Sequence, residues 1–437
     1  MAKKMKLSLL LIFIVGLGLR TWLPMERVFN FDQDQIAINA MNIVNGDWTV
    51  LGPQTSNMNF FTGPLIYYWA AVFYGLTGGH PLANAWTSIS LYIFSFGLIW
   101  YFFKSLFSRK LVNLYLAIYA LSPFLVQLNR ITWNPGFSFL SGSLVLAALL
   151  KPKLSSIWLG MFLAYQSSFS GFVMMGALVL YWLWQRRNLA LILVGFFGMA
   201  VSMLPLLIFD LKHNFMNLSS LGGFIYQAIF GIGFGFLLRI KMVLMINFEN
   251  LTKLFAGYFF PSLVLVLLGI IILILWLIQK KSVFSSQQRK ILLLWMAVFP
   301  LSGLFYGDDL PEYYFLIQLP ALVFILADLL IGIKKQLILV YLLMAVVSLG
   351  VVFTQSNGYL LGDKFKAMQS IKKHSGDLPV ELVFDMDYSE QFGWEYLTKY
   401  FQLNRVPQGE SVHLIFPVLS TTRFSERFGN IGVLYGN

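Results

Sequence analysis

The chain alternates long apolar runs with short polar ones from Leu7 to Phe353, and this alternation predicts a bundle of membrane-spanning helices. Leu7–Leu23 is about long enough to cross a bilayer. No small-residue cleavage site follows it, so it reads as the first span rather than as a signal peptide. A long loop comes next, from Pro24 to about Pro81. Within it, Pro64–Leu76 is apolar and aromatic, the pattern of a helix lying at the membrane surface. Further spans are expected over Leu82–Phe103, Leu111–Val126 and Pro135–Leu150. The run Leu154–Trp184 is too long for one span and has a polar middle, Gln166 to Ser170, so it reads as two short helices. Leu189–Phe209 crosses again, and Asp210 to about Leu254 reads as a long loop with an amphipathic portion. Tyr258–Ile278, Ile291–Phe305, Tyr313–Ile333 and Leu337–Phe353 complete about eleven spans.

The tail has ordinary soluble composition. Lys364–Lys373 and Glu390–Phe401 suit helices, and Val380–Phe384 and Val412–Phe416 suit strands. The expected fold class is an all-α polytopic membrane protein with a small α/β domain at its C-terminal end. The expected division is 1–353 for the membrane domain, with its outer loop at 24–81, and 354–437 for the small domain.

Composition agrees. The sequence is 58% hydrophobic and 11% charged, against about 25% charge in soluble domains, so its solvent is largely lipid. A net charge of +12 would suit nucleic acid. Here, however, the basic residues sit in short loops between apolar runs, which orients a protein against anionic lipid and argues for no nucleic-acid partner. The N-terminus, Lys104 to Lys110, Lys151 to Lys153, Arg186-Arg187, Lys280 to Lys290 and Lys334-Lys335 can all lie on one face. The positive-inside rule makes that face cytoplasmic, in a cell (inner) membrane. The Asp32 loop, Arg130, the Asp210 loop, the Asp308 turn and the tail then share the extracytoplasmic face. With no cysteine, disulfides and thiolate chemistry are excluded, and His80, His213, His374 and His413 are too scattered for a metal motif.

Acids are few on that outer face, and Asp32 and Asp34 lie in a stretch, Phe29 to Trp69, rich in Asn, Gln, Gly and aromatics. Two readings stay open for them: solvated loop acids, or a base within a site for a polyhydroxylated ligand. Arg130 lies between two spans, where an unpaired cation is costly, so it is either a snorkelling interfacial residue or an anion binder. Lys212, Arg239 and Lys241 are further outer cations. The carboxylates of Asp32, Asp34, Asp308, Asp309 and Glu312 could together suit a divalent cation. Acidic turns are ordinarily solvated, however, and no metal or other cofactor is expected.

Several short motifs recur in a telling order. Asp32-Gln33-Asp34 follows the first span, then Asn45-Gly46-Asp47-Trp48 and Gly63-Pro64-Leu65-Ile66-Tyr67-Tyr68-Trp69. Arg130 to Pro135, Pro205 to His213 and Glu312-Tyr313-Tyr314 come later. In this order the chain resembles the GT-C superfamily of glycosyltransferases, especially the branch of protein O-mannosyltransferases and lipid A aminoarabinose transferases. It departs twice: Gln33 stands where the usual acidic pair has its second acid, and no lysine precedes the Pro64-Leu65 segment, where Thr62 stands nearby.

The resemblance implies a GT-C fold and transfer of a sugar, with inversion, from a polyprenyl-phosphate donor to a hydroxyl of a glycan, lipid or protein. Outside the cytoplasm there is no nucleotide-sugar pool, so a donor arriving on a membrane lipid fits the topology. The transfer needs a base at the acceptor, implied to be Asp32 first and Asp34 second. It also needs cations for the departing phosphate, implied to be Arg130 first, then Lys212, Arg239 and Lys241. Tyr67, Tyr68, Tyr313 and Tyr314 are the implied substrate contacts. Two other classes remain open. A transporter or flippase of lipid-linked sugars would carry ionisable residues or broken helices near the midplane, whereas the expected spans are nearly free of charge. A catalytically inactive scaffold is compatible with Gln33.

Overall fold

The computed structural model describes residues 2–55, 60–185, 188–230, 236–304, 312–333, 336–354, 360–419 and 422–436. Arg186-Arg187, Lys334-Lys335, Asp308 and Asp309, used above for orientation or as candidate ligands, lie outside the described residues. The chain opens with α1 (Ala2–Thr21), then α2 (Phe31–Val44) and α3 (Leu65–Leu76). The bundle continues with α4 (Ala83–Leu106), α5 (Arg109–Leu121), α6 (Pro123–Arg130), α7 (Ser138–Leu150), α8 (Leu154–Ser167), α9 (Ser170–Gln185) and α10 (Leu189–Lys212). It closes with α11 (Met216–Phe230), α12 (Phe236–Ala256), α13 (Ser262–Ile278), α14 (Ser286–Gly303), α15 (Leu319–Leu330) and α16 (Leu337–Thr354).

Most apolar runs become helices, and the breaks have local causes. The span expected over Leu111–Val126 is bent by 59° between α5 and α6. Pro123 has no N–H to continue α5, and the Ser122 side chain accepts from Leu125 N–H to start α6. The run Leu154–Trp184 divides at Ser168-Phe169 into α8 and α9, as its polar middle suggests. Two expectations are corrected. The region from Asp210 to Leu254 is mostly helix, α11 and α12, because an amphipathic segment buries its apolar face against neighbours. The Asp32 stretch is a 14-residue helix, α2, rather than irregular loop. The Asn30 N–H donates to Gln33 Oε1 at 3.0 Å, one arm of a capping box.

The centre of the bundle is α7, buried along its whole length, with α15 against it. At the foot of α15 the buried Asp328 carboxylate accepts from Trp276 Nε1, Gln279 Nε2, Ser282 Oγ and the Val283 N–H. Four donors on one carboxylate fix the turn between α13 and α14. Outside, α13 and α16 show lipid-type surfaces, with Leu263, Ile278, Ile338 and Leu339 all more than 60% exposed. Apolar surface of that extent is stable only in lipid, so the chain is an integral membrane protein. Ala83–Leu106, Leu189–Lys212, Tyr313–Leu330 and Leu337–Thr354 are long and apolar enough to cross a membrane, and the bent pair α5–α6 makes a fifth. Leu7–Thr21, Asn134–Leu150, Ser170–Gln185 and Ser262–Ile278 are shorter apolar helices.

Beyond α16 the chain forms α17 (Leu361–Ser375), β1 (Val380–Asp385), α18 (Glu395–Tyr400), β2 (Glu410–Ile415), β3 (Glu426–Phe428) and β4 (Ile431–Tyr435). The sheet order is β1-β2-β4-β3, with β1 parallel to β2 and the other pairs antiparallel. The short strands β3 and β4 add to the two expected strands and complete a sheet that α17 covers. This unit is bonded to the start of the long loop after α1. The Leu361 N–H donates to Arg27 O at 2.8 Å and the Gly362 N–H to Met25 O at 2.9 Å.

Candidate active site

Residues two apart on a helix lie on opposite sides of it. That rule separates Asp32 from Asp34. Asp32 shares a face of α2 with Gln35, Ile36 and Asn39, and that face lines a cavity of ≈ 240 Å³. The other walls are Phe31, Tyr67 from α3, Asn134, and the segment Thr49, Leu51, Gly52, Pro53, Gln54 and Phe61. The Asp32 carboxyl is open to the cavity yet crowded by its walls, and this desolvation pushes its pKa above the ordinary carboxylate range. Burial, with the Asp32 charge adding to it, pushes the Tyr67 phenol up as well, so Tyr67 stays a neutral donor.

The cavity walls are tied to one another. Tyr68 Oη donates to Thr49 O at 2.8 Å, and Asn134 Nδ2 donates to Ser167 O at 2.7 Å. Gln166 Oε1 accepts from the Leu65 N–H at 3.0 Å, pinning the start of α3. Gln33, the residue that departs from the usual acidic pair, is buried. Its Oε1 takes the Asn30 N–H and its Nε2 donates to Thr132 O at 2.8 Å. The position uses both an acceptor and a donor, which an amide supplies and a carboxylate does not.

Asp34 faces the other way, into the C-terminal unit, and is 5% exposed. It accepts the Tyr396 N–H at 2.9 Å. Burial pushes its pKa up to about 6, with Glu395 adding to the rise and the Tyr396 N–H and Lys364 opposing it. Lys364, fully buried, donates to Phe29 O at 3.0 Å and to Phe392 O at 2.5 Å. Burial pulls its pKa down to about 7 against the attraction of Asp34 and Glu390. Tyr396 Oη also donates to Gly79 O, and Phe31 meets Phe392 edge-on at 5.2 Å. At Gly393, φ is +84° and a side chain would strike the Phe29 carbonyl, so only glycine lets the C-terminal unit close on the start of α2.

Arg130 does not line the cavity. Its guanidinium donates to the carbonyls of Leu19 (3.4 Å), Trp22 (2.6 Å), Leu23 (3.3 Å) and Glu26 (2.9 Å). Two more buried arginines, missed by sequence reading, stand beside it. Arg20 donates to Ala120 O at 2.8 Å, Tyr119 O at 3.0 Å and Asn129 Oδ1 at 2.8 Å. Arg27 donates to Ser88 Oγ at 2.5 Å and to the carbonyls of Arg20 and Arg130. The C-terminal ends of α1, α5 and α6 converge here, and the three cations satisfy their orphan carbonyls and complement their dipoles. The group fixes the point where α1 turns into the long loop that follows it. Beside Arg130 itself, Arg20 near the end of an apolar run was the other visible signal of the group.

The remaining candidates stand apart. Lys212 and Lys241 are exposed and Arg239 is half-buried, and none of them lines the cavity. Tyr313 packs edge-on to Trp133 at 5.7 Å and against Tyr314 at 4.7 Å, which puts it behind Asn134 rather than in the cavity wall. Among the described residues no group of three or more His, Asp or Glu is placed to hold a metal ion.

The chain is thus an apolar helical bundle with an acid-bearing cavity in the long loop after α1 and a small C-terminal sheet docked on the back of α2. Among solved structures the chain is similar in fold to ArnT, the lipid A aminoarabinose transferase. It superposes on ArnT from Cupriavidus metallidurans bound to undecaprenyl phosphate with a TM-score of 0.57 and 12% identity, over 98% of this chain and 97% of that one. The apo state of the same protein gives a TM-score of 0.49 and 14% identity, over 99% of this chain and 98% of that one. No family model matches the sequence. No curated protein matches it either.

Proposed function

We propose that the chain is a membrane glycosyltransferase that moves a sugar from a polyprenyl-phosphate donor to a hydroxyl acceptor. The observation that carries this reading is Asp32, the one carboxylate on the described wall of a cavity that also presents amides, hydroxyls, aromatic rings and the aliphatic Ile36, Leu51 and Pro53. A carboxylate whose pKa lies above the ordinary range, as that of Asp32 does, is a better proton acceptor from an alcohol than a fully solvated one. The shared fold with a protein solved with undecaprenyl phosphate supports a lipid-linked donor. In this reading Asp32 takes the acceptor proton as the hydroxyl oxygen attacks the anomeric carbon, and the polyprenyl phosphate leaves from the opposite face. Asp34 serves the docking of the C-terminal unit. The departing phosphate falls to Lys212, Arg239 and Lys241, because Arg130 is engaged by four carbonyls. Tyr67 and Tyr68 contact or frame the substrate, with Tyr313 packed beside Trp133 and Tyr314 beside Tyr313.

The proposed setting is about eleven spans, with the N-terminus cytoplasmic and the Asp32 cavity and C-terminal unit on the outer face. The acceptor is a glycan, lipid or protein hydroxyl. The test supplies purified protein and an Asp32→Asn variant with radiolabelled polyprenyl-phosphate sugars and candidate acceptors. Transfer by wild type alone is expected. Equal transfer by both removes Asp32 as the base, and a chelator in the same assay tests for a divalent cation.

A further inference from the structure

The cavity's charge is one-sided. Its described lining holds one carboxylate, Asp32, and no lysine, arginine or histidine. The sequence explains why: between Arg27 and Lys104 there is neither lysine nor arginine. His80, the histidine of that stretch, is packed against Phe365 and Tyr400. The buried cations nearby are committed elsewhere, Lys364 to Phe29 O and Phe392 O, Arg27 and Arg130 to helix-end carbonyls. The remaining polar groups on the described walls mix donors and acceptors: the amides of Gln35, Asn39 and Gln54 and the Tyr67 hydroxyl, with the Thr49 O–H given to Leu51 O and Asn134 Nδ2 to Ser167 O and Thr62 Oγ1, so that Thr49 and Asn134 offer their oxygens. Phe31 and Phe61 add apolar ring surface.

We propose that this cavity takes an uncharged, hydroxyl-rich saccharide unit and refuses one that carries a further phosphate or carboxylate of its own, the donor's lipid phosphate lying outside the described lining. The proposal rests on the reading of the cavity as the transfer site and gives its ligand a chemical class. Amides and hydroxyls match the mixed donor and acceptor pattern of sugar hydroxyls. The aromatic rings match the C–H face of a sugar ring. A second anion beside Asp32 would meet like charge, with no cation among the described lining residues to offset it. At ≈ 240 Å³ the space is below the roughly 300–1,000 Å³ of drug-sized sites, so it suits one sugar unit at a time.

The test uses the full chain in lipid nanodiscs, free of sugar-headed detergent, at pH 7.5. Saturation-transfer NMR compares a methyl hexoside with the same hexoside carrying a 6-phosphate. The neutral glycoside is expected to bind saturably and the phosphate at least about tenfold more weakly. Asp32→Asn should narrow that ratio by removing the repelling charge, and Gln35→Lys should reverse it by adding a cation to the wall. Equal or tighter binding of the phosphate by wild type overturns the proposal, as does failure of both compounds to bind. The transferase reading fails separately. If the neutral glycoside binds but no polyprenyl-phosphate sugar supports transfer, that reading falls and the assignment of the cavity stands.

Discussion

The Tyr396 N–H donates to the Asp34 carboxylate at 2.9 Å, joining two residues 362 positions apart. This bond ties the back of α2 to the first turn of α18, while Asp32 on the front of α2 opens to the cavity. The C-terminal unit is thus part of what holds the candidate base in place.

The two aspartates should therefore fail differently. Asp32→Asn removes the proton acceptor and is expected to lower turnover about 10²–10⁴-fold with little change in melting temperature. Asp34→Ala leaves the Tyr396 N–H buried without a partner, at a cost of about 1–3 kcal/mol. Asp34→Asn keeps an oxygen there and should restore most of that loss. Paired transfer and thermal-melt measurements on the three variants check this. Loss of turnover without loss of stability in Asp34→Asn would move the base to Asp34.

The same junction sets a pH dependence. Asp34 rises from an ordinary 3.8 to about 6 on folding, so the folded state holds an extra proton between those values. Stability from this group is present below about 4 and is lost as pH rises through 6. Lys364 falls from 10.5 to about 7, so its contribution is present above about 10.5 and is lost as pH falls through 7. The two windows leave a minimum between about 6 and 7. Limited proteolysis of the C-terminal unit across pH 4–10 should be fastest there. Lys364→Met should abolish the recovery on the alkaline side, and an unchanged alkaline limb would refute the assignment to Lys364.

What could be read from the sequence followed from how strongly lipid constrains it. A span needs a long apolar run, so α4, α10 and α16 announce themselves. α2 does not. It is rich in Asn and Gln, and two of the bonds that fix its start and back, from Lys364 to Phe29 O and from Tyr396 to Asp34, come from far along the chain. The signal that was present, Asn30 followed by Gln33, marks a helix start. Once α2 is seen as a helix, Asp32, Gln35, Ile36 and Asn39 form one face and Asp34 must leave it. Arg130 shows the opposite limit. Its cost in an apolar setting was legible, but its partners are backbone carbonyls, which no side-chain pattern reveals.

Gln33 gives a direct test of why this chain departs from the acidic pair of the families it resembles. Gln33→Glu keeps an oxygen for the Asn30 N–H but sets a second oxygen against Thr132 O, where Nε2 now donates at 2.8 Å. A loss of about 1–3 kcal/mol is expected, with lowered turnover as the start of α2 shifts. Unchanged stability and higher activity would mean that a second acid is tolerated and useful there.

Arg130 and the cations proposed to take the donor phosphate should likewise separate by which constant they change. The Arg130 guanidinium spans four carbonyls of the turn leaving α1, and a lysine ammonium cannot reproduce that fork. Arg130→Lys is expected to lower the melting temperature and kcat while leaving KM for the polyprenyl-phosphate donor near its wild-type value. Lys241 is exposed and outside the cavity. Lys241→Met should leave stability unchanged and raise the donor KM about tenfold, the loss of one charge-assisted phosphate contact. Steady-state kinetics on both variants decide the matter. A raised donor KM in a stably folded Arg130→Lys protein, with none in Lys241→Met, would return the phosphate to Arg130 and require its bonds to the α1 carbonyls to open when the donor binds.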